Sequence, residues 1–593
     1  MSGVSGSRWR KAKLVSEIKH QQHDPALSRR EGLSLAGVLS LTFLTFVSTF
    51  TFGWVYDDPP QIPQDQYLQW NRLTYLFTHH LWASTAGTEA RFYRPLLSLW
   101  FLINKSLFGL DPHWFHVTTV LVHVTATGMA FLIARKVLRD TGPALLAAAI
   151  FGVHPLQVEA ASWISSVNDP LAAVLCFSSF LAYRKARAVG RSSGAGVWWV
   201  ISAISFFLAL ITKEVSVTLP AIVLVDLWTS SDGTAATKAS WRNVALGYGL
   251  TAALWLLLRT VIVGQTATVG LLAAGTKTLL SGPKILLFDL YRVVFPVGLS
   301  PHYDFRPVES GGMQFLLTLG ILAVLVWLAM AAARRNRQLW VAYAWLVFPL
   351  LPTTNLGWMN QDDFVHDRYM YISMLGVALL AGSAFAASRR KWPDAGLVPL
   401  FSGVLIVVMG FASAIQSQYW ANDVFLFSRA VKIAPRNEWS HLNYGAALSA
   451  RNRFGEAAVE FAESFKLKAS WQAADFAGYS YQRSGDLSQA EHWFTVAVEE
   501  NPALATAWFG LAQIRLEKHR PSEAIGFLKQ ALAIQPDADG YHYALGVALE
   551  QVSRLSDALE AYRTELRLHP YQTGARKAVE RLQSTVHEWP VKR

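Results

Sequence analysis

Eleven apolar stretches punctuate this chain, near residues 33–53, 114–134, 142–153, 166–183, 197–212, 215–230, 243–263, 313–333, 339–357, 370–387 and 396–415. Nothing else in the sequence constrains the fold as much. A helix needs about 20 apolar residues to cross the hydrocarbon core of a bilayer, and in that core only helices and closed barrels satisfy their own backbone hydrogen bonds. The stretches predict an all-α, polytopic membrane domain of about 11 spans, with the short third run borrowing from its flanks. Of 593 residues, 52% are hydrophobic and only 16% charged, against about a quarter charged in soluble domains. The first 32 residues are polar and basic (Arg8, Arg10, Lys11, Lys13, Lys19, Arg29, Arg30), and no small-residue cleavage site follows the first apolar run. That run reads as a retained span, not as a removed signal peptide.

The net charge of +12 does not point to nucleic acid, because the Lys and Arg residues fall in short clusters between apolar runs, as they do in cytoplasmic loops. With the basic N-terminus inside, the clusters Arg135/Lys136/Arg139, Arg184/Lys185/Arg187/Arg191, Lys238/Arg242, Arg334/Arg335/Arg337 and Arg389/Arg390/Lys391 all fall on the inner side. Eleven spans satisfy every cluster and put the C-terminal region outside. The stretch 278–300 carries Lys284, Asp289, Arg292 and Pro296, so it is expected to lie flat at the outer interface. If it crosses, the count is twelve and the tail lies inside. A single cysteine, Cys176, excludes a disulfide within the chain and any Cys-based metal site.

From about residue 420 a period appears. Pro502, Pro536 and Pro570 are 34 residues apart, each 12 residues after an alanine (Ala490, Ala524, Ala558). Gly445, Gly478, Ala512 and Gly546 lie 12 residues before Ala457, Ala490, Ala524 and Ala558, and Phe461, Phe494, Phe527 or Leu528, and Tyr562 occupy the following helices. This is the tetratricopeptide pattern, about four repeats over 436–570. Small residues let paired helices approach, and the stacked array offers a concave surface for a protein partner. The expected division is a basic N-terminus (1–32), a membrane domain (33–418) with a first outer loop at 54–113, and a repeat domain (419–593).

This topology sends the unusual polar residues to one face. Asp57 and Asp58 in WVYDDPPQIP, Arg91 and Arg94 in RFYRP, His154 and Glu159 in HPLQVE, Lys213 and Glu214, His302, Asp304 and Arg306 in PHYDFR, and Asp362, Asp363, His366, Asp367 and Arg368 in QDDFVHDRYMY all fall outside. Each has a plain structural reading: Asp-Asp-Pro-Pro is a turn, the arginines anchor at the interface, His154 caps a helix, Lys213 and Glu214 neutralise each other, and the tyrosines form a belt. A metal cluster of Asp, Glu and His is a further reading, but no ligand pair has helical spacing such as HExxH. Their convergence on one face favours a site. Outside an inner membrane an activated group arrives attached to a lipid, and a polyprenyl phosphate sugar fits. Fixed cations stabilise the departing phosphate, with Arg91, Arg94, Lys213 and Arg368 as candidates. A Ser or Thr acceptor needs a base, and Asp57 is the candidate, with Asp58 orienting the acceptor or the loop.

The ordered motifs WVYDDPPQI, FYRPLLSLWFLINKSLFGLDPHWFH, FGVHPLQVEAASWIS, LALITKEVSVTLP, FPLLPTTNL and DRYMYIS, followed by the repeats, resemble the transmembrane and tetratricopeptide repeat-containing protein O-mannosyltransferases and their bacterial relatives. The resemblance covers roughly 33–570. It implies a C-type glycosyltransferase fold, with the acidic pair carried over to Asp57 and Asp58 as catalytic. It also implies inverting transfer of mannose or another hexose from a polyprenyl or dolichyl phosphate donor to protein hydroxyls held by the repeats. Donor phosphate and sugar binding falls to Arg91, Arg94, His154, Glu159, Lys213, Glu214, His366 and Arg368. No metal site is assigned, and a divalent cation requirement stays open. The sequence departs from the resembled family after WIS, where a basic residue and then Asp-Leu-Leu are usual and this chain reads SVNDPL, with Val167 and Asn168. The rival readings are a non-enzymatic membrane scaffold and a lipid-linked oligosaccharide ligase or polymerase. The only Asn-x-Ser/Thr sequon is Asn104-Lys105-Ser106, which favours a bacterial inner membrane with a periplasmic tail over the endoplasmic reticulum.

Overall fold

The computed structural model describes residues 27–83, 92–190, 194–230, 235–264, 275–356, 363–394 and 396–587. Every element in it is an α- or 3₁₀-helix. The chain forms two compact units, Met1–Leu426 and Phe427–Arg593.

In the first unit six helices are long and apolar enough to cross a membrane: Arg29–Thr51, Pro112–Leu138, Ile164–Val189, Ser240–Val263, Met313–Arg335 and Leu397–Ala421. A pair bent by 51°, Thr141–Val153 with Pro155–Ser162, makes a seventh if counted as one. The chain is thus a multi-pass membrane protein, but eleven spans are not reached among the described residues. The other four apolar runs stop early for visible reasons. The run at 339–357 breaks into 3₁₀ turns at Pro349 and Pro352, and the run at 215–230 opens in the 3₁₀ turn Glu214–Thr218 before the 11-residue helix Leu219–Thr229. The run at 197–212 yields the 16-residue helix Ala195–Leu210, and Met374–Lys391 ends in three cations. The stretch expected at the interface forms the helix Gly275–Val294, which buries Ser281, Ile285, Asp289 and Arg292 along one stripe and exposes Leu279, Tyr291 and Val294.

Lipid tails are as apolar as leucine, so packing and not water exclusion joins such helices. A Cβ on Gly376 would lie 2.3 Å from the Leu346 amide nitrogen, and one on Gly152 would lie 2.2 Å from Thr42 Oγ1. Only glycine permits these approaches. Around them Phe151, Phe177, Phe180, Trp345 and Tyr371 interlock edge to face at 5.4–5.9 Å. The polar motifs sit where these helices end.

The second unit holds four helix pairs: Glu438–Ser449 with Phe454–Leu467, Trp471–Ser484 with Leu487–Glu500, Ala505–Glu517 with Pro521–Ile534, and Tyr541–Gln551 with Leu555–Leu568. The helix Thr573–His587 follows. The periodic small residues are the contact points: a Cβ on Gly445 would meet Phe461 at 2.8 Å, on Gly478 Phe494 at 2.7 Å, and on Gly546 Tyr562 at 2.5 Å. Because a rigid ring cannot give way, Gly546→Ala is expected to destabilise this unit by about 1–3 kcal/mol, read as a lower thermal midpoint. Gly455→Ala, whose Cβ meets nothing within 4 Å, is the control that should leave the midpoint in place.

Candidate functional site

The loop WVYDDPPQIP turns at Tyr56, whose φ of +56° lies in the left-handed region, and then enters the four-residue helix Asp58–Gln61 with Pro59 and Pro60 in its first turn. Proline suits that position because its missing N–H would have no helical partner there. The two aspartates then part company. Asp58 is fully buried. Its Oδ2 accepts from the Val55 amide at 3.0 Å, and its Oδ1 accepts from the Ser165 amide at 2.8 Å and the Ser165 hydroxyl at 2.6 Å. Burial pushes its carboxyl up to about 7 against the pull of those bonds. Asp58 therefore staples the loop to the segment after Trp163. Asp57 is half-buried, and among the described residues no hydrogen bond or ion pair holds its carboxylate. Burial pushes it up to about 6, Arg368 pulls it down and Asp363 pushes it up.

Asp57 lines a cavity of about 150 Å³ with four cations: Arg94, Lys213, Arg259 and Arg368. A carboxylate holds each of three of them. Arg94 donates to Glu214 Oε2 through Nε at 3.1 Å and Nη2 at 2.8 Å, and Lys213 Nζ pairs with Asp169 at 2.5 Å. Arg368 pairs with Glu159 Oε1 and donates its amide to Glu159 Oε2 at 3.0 Å. Its guanidinium lies 4.9 Å above Trp163 and 5.3 Å above Tyr369. Burial lowers Lys213 to about 8 although Asp169 opposes the shift. Burial also works against the Arg368 charge, but Glu159 outweighs it and raises the pKa.

Of the residues expected from sequence, Asp57, Arg94, Lys213, Glu214 and Arg368 line this one cavity, and Glu159 stands behind Arg368. His154 and His366 are not among its lining residues. The amide of Leu156 donates to His154 Nδ1 at 3.2 Å while His154 Nε2 reaches the Val293 carbonyl at 3.1 Å, so His154 caps a helix start as a neutral imidazole. His366 Nδ1 lies 2.9 Å from the Pro301 carbonyl, and burial lowers it to about 4. Arg91 lies outside the described residues. Asn104 of the sequon is buried, bonded to the Trp100 carbonyl and the Thr118 hydroxyl.

Sequence reasoning passed over Arg259 and Asp169. Arg259 was legible as the lone charge of the run 243–263, since an ionisable residue inside a span is a candidate for a functional site. Asp169, in SVNDPL, supplies the partner of Lys213. A second buried network lies nearby: Arg292 pairs with Asp289 and with Asp367 at 2.5 Å, and the Tyr303 hydroxyl donates to Asp367 at 2.7 Å. It ties the helix Gly275–Val294 to the QDDFVHDRY segment. Beside it His302 Nδ1 lies 3.1 Å from Asp363. Burial works to raise the Asp363 carboxyl, but His302 and His366 outweigh it and hold it below the usual range.

In the repeat unit the first helices of successive pairs line a groove of about 570 Å³ with Phe476, Tyr479, Phe509, Tyr541, Gln482, Gln513 and Asp475. The same unit holds a group with metal-ligand chemistry: Asp539, Glu565 and His569 present atoms within 4.8 Å of one another. This set could hold a divalent cation, yet Glu565 already accepts the amides of Gly540 at 2.8 Å and Tyr543 at 3.0 Å, which caps the helix Tyr541–Gln551.

A family model for the tetratricopeptide repeat matches residues 477–539 and 528–573. The chain is 24% identical over 515 residues to the human protein O-mannosyl-transferase TMTC1, covering 75% of this chain and 57% of that protein. It is 25% identical over 535 residues to Drosophila melanogaster Tmtc1 (73% and 61%), and 24% identical over 476 residues to human TMTC4 (69% and 63%). It is a remote relative of these enzymes. The chain spans about three-fifths of their length. Among solved structures, "YrrB: a TPR protein with an unusual peptide-binding site" is 15% identical with a TM-score of 0.25, covering 33% of this chain and 98% of that one. MamA is 17% identical with a TM-score of 0.24, covering 25% and 86%.

Ser165 gives Asp58 two of its three hydrogen bonds. Ser165→Ala removes the hydroxyl donor from a buried carboxylate, which is expected to cost about 1–3 kcal/mol. The check is the thermal midpoint of the membrane unit in detergent, which should fall.

Proposed function

We propose that the membrane unit is an inverting glycosyltransferase of the C-type fold that moves a hexose, such as mannose, from a polyprenyl or dolichyl phosphate to Ser or Thr hydroxyls of proteins on the outer face. One observation carries this reading: Asp57, a carboxylate with no hydrogen-bond or ion-pair partner among the described residues, shares a cavity with four cations. The remote likeness to O-mannosyl-transferases and the apolar helices support it. The acceptor hydroxyl attacks the anomeric carbon, its proton passes to Asp57, and the bond from that carbon to the phosphate oxygen breaks with its electron pair leaving on the phosphate. Single displacement inverts the centre. Arg94, Lys213, Arg259 and Arg368 receive the charge that grows on the leaving phosphate, where fixed donors act most strongly. Gln61 Oε1, Asn168 Oδ1 and Glu214 Oε1 are buried acceptors of the same cavity with no partner among the described residues, and sugar hydroxyls supply the missing donors. The aromatic groove of the repeat unit suits an extended acceptor segment.

Asp57→Asn tests the reading. With purified protein, a polyprenyl phosphate mannose and an acceptor peptide, glycopeptide mass spectrometry is expected to show loss of about 10²-fold or more while the thermal midpoint holds. Undiminished transfer by this variant sinks the enzymatic reading and leaves the scaffold. Products in which glycan is joined to glycan identify a ligase instead.

The pH profile of kcat/KM gives a separate check. Asp57 must be ionised to take the proton, so the rate is expected to rise with pH through about 6. Lys213 must be charged to bind phosphate, so the rate is expected to fall through about 8. A bell between these limits reports the pair, and Lys213→Arg is expected to move the falling limb upward, because an arginine stays protonated.

A further inference from the structure

The left-handed turn that presents Asp57 is held by a segment far along the chain. Bulky residues rarely adopt φ near +56°, and holding one there costs free energy that surrounding contacts must supply. For Tyr56 these contacts come from two directions. Its amide donates to Asp423 Oδ1 at 2.8 Å, across 367 residues of sequence. Its ring stacks on Trp163 at 5.1 Å and 24°, and Trp163 in turn stacks on Trp420 at 5.4 Å and 19°. Three residues before Tyr56, the Gly53 amide reaches the Ala421 carbonyl at 3.4 Å. Residues 420–423 are where the chain leaves the last apolar helix, Leu397–Ala421, on its way to the repeats. Both ends of the clamp meet the cavity wall, since Asp57 follows Tyr56 and Trp163 lines the cavity beneath Arg368.

We infer that Asp423 and Trp420 are positioning residues for Asp57: they lock Tyr56 in its left-handed turn and so aim the carboxylate at the cavity. Asp423 acts through a backbone amide, so what it must supply is an acceptor oxygen, and its charge is secondary. Trp420 acts by keeping Trp163 flat against the Tyr56 ring. The segment entering the repeat unit is then a working part of the acidic loop. This inference takes the transferase reading for its kinetic arm but not for its structural one.

The experiment uses the full chain in lipid nanodiscs. Hydrogen–deuterium exchange at the Tyr56 amide is expected to speed up roughly tenfold or more in Asp423→Ala, the loss of a strained, bonded turn. In Asp423→Asn, which keeps an acceptor oxygen, exchange should stay within about threefold of the parent. In the transfer assay Asp423→Ala is expected to lower kcat by roughly tenfold with donor and acceptor KM little changed, because a misaimed base slows the chemical step without weakening binding. Trp420→Leu should lower kcat in the same way if Asp423→Ala does not accumulate. Unchanged Tyr56 exchange in both Asp423→Ala and Trp420→Leu overturns the inference, whatever the activity. Equal losses in Asp423→Ala and Asp423→Asn also overturn it, since charge and not the acceptor would then be at work. A parent protein with no transferase activity defeats the proposed reaction instead, and the exchange arm still decides the inference.

Discussion

Three of the cavity's four cations are each held by one carboxylate from a distant part of the chain. Arg94 meets Glu214 across 120 residues, Lys213 meets Asp169 across 44, and Arg368 meets Glu159 across 209. Burying such pairs is costly, and replacing them with apolar side chains is often neutral or stabilising, whereas removing one partner costs about 3–5 kcal/mol. Their value here lies in geometry: they fix which loops meet at the ends of the apolar helices. They also leave donors to spare. Arg94 uses two of its five N–H groups on Glu214, and Lys213 uses one of its three on Asp169. The pairs cancel charge without exhausting hydrogen-bonding capacity, which under the proposed function suits binding an anion without an open positive patch.

The adjacent acids show how neighbours in sequence acquire different duties. Asp58 is fully buried and accepts three hydrogen bonds from Val55 and Ser165, which closes the loop. Asp57, directly after the left-handed Tyr56, has no hydrogen bond or ion pair on its carboxylate among the described residues. Under the proposed chemistry the left-handed Tyr56, and the stack of Trp163 and Trp420 that accompanies it, precede a reagent at Asp57 followed by the anchored Asp58.

Much of this was legible in the sequence and part was not, for physical reasons. The repeats could be read closely because their contacts are local: Gly546 and Tyr562 belong to one helix pair, so spacing alone brings them together. The convergence of Asp57, Arg94, Lys213 and Arg368 could be anticipated because span counting sorts loops to one face. Of the eleven runs, the described residues carry six, or seven with the bent pair, as helices long and apolar enough to cross a membrane, because hydropathy registers the apolar run at 339–357 but not that Pro349 and Pro352 break its helix. The resemblance assigned His154 and His366 to donor binding; in the structure their ring nitrogens lie against the Val293 and Pro301 carbonyls, partners that no local pattern encodes. Asp169 and Asp423 were missed because their meaning depends on a partner 44 or 367 residues away, which no local pattern encodes.

Under the proposed chemistry the balance of charges around the cavity has a consequence. Four cations (Arg94, Lys213, Arg259, Arg368) face four carboxylates (Asp57, Glu159, Asp169, Glu214), three of which are committed to a cation. Asp57 is the uncommitted one, close enough to Arg368 for that guanidinium to depress its pKa. When the acceptor proton reaches Asp57 that attraction ends, and the Arg368 field is no longer shared with a carboxylate. At the same moment the phosphate, losing its sugar, gains a unit of negative charge. Proton transfer thus strengthens the hold on the leaving group as it departs, and the carboxylate need not be a strong base for the two events to favour each other. A base with a pKa near 6 suffices, because part of the driving force comes from cations that its own neutralisation releases.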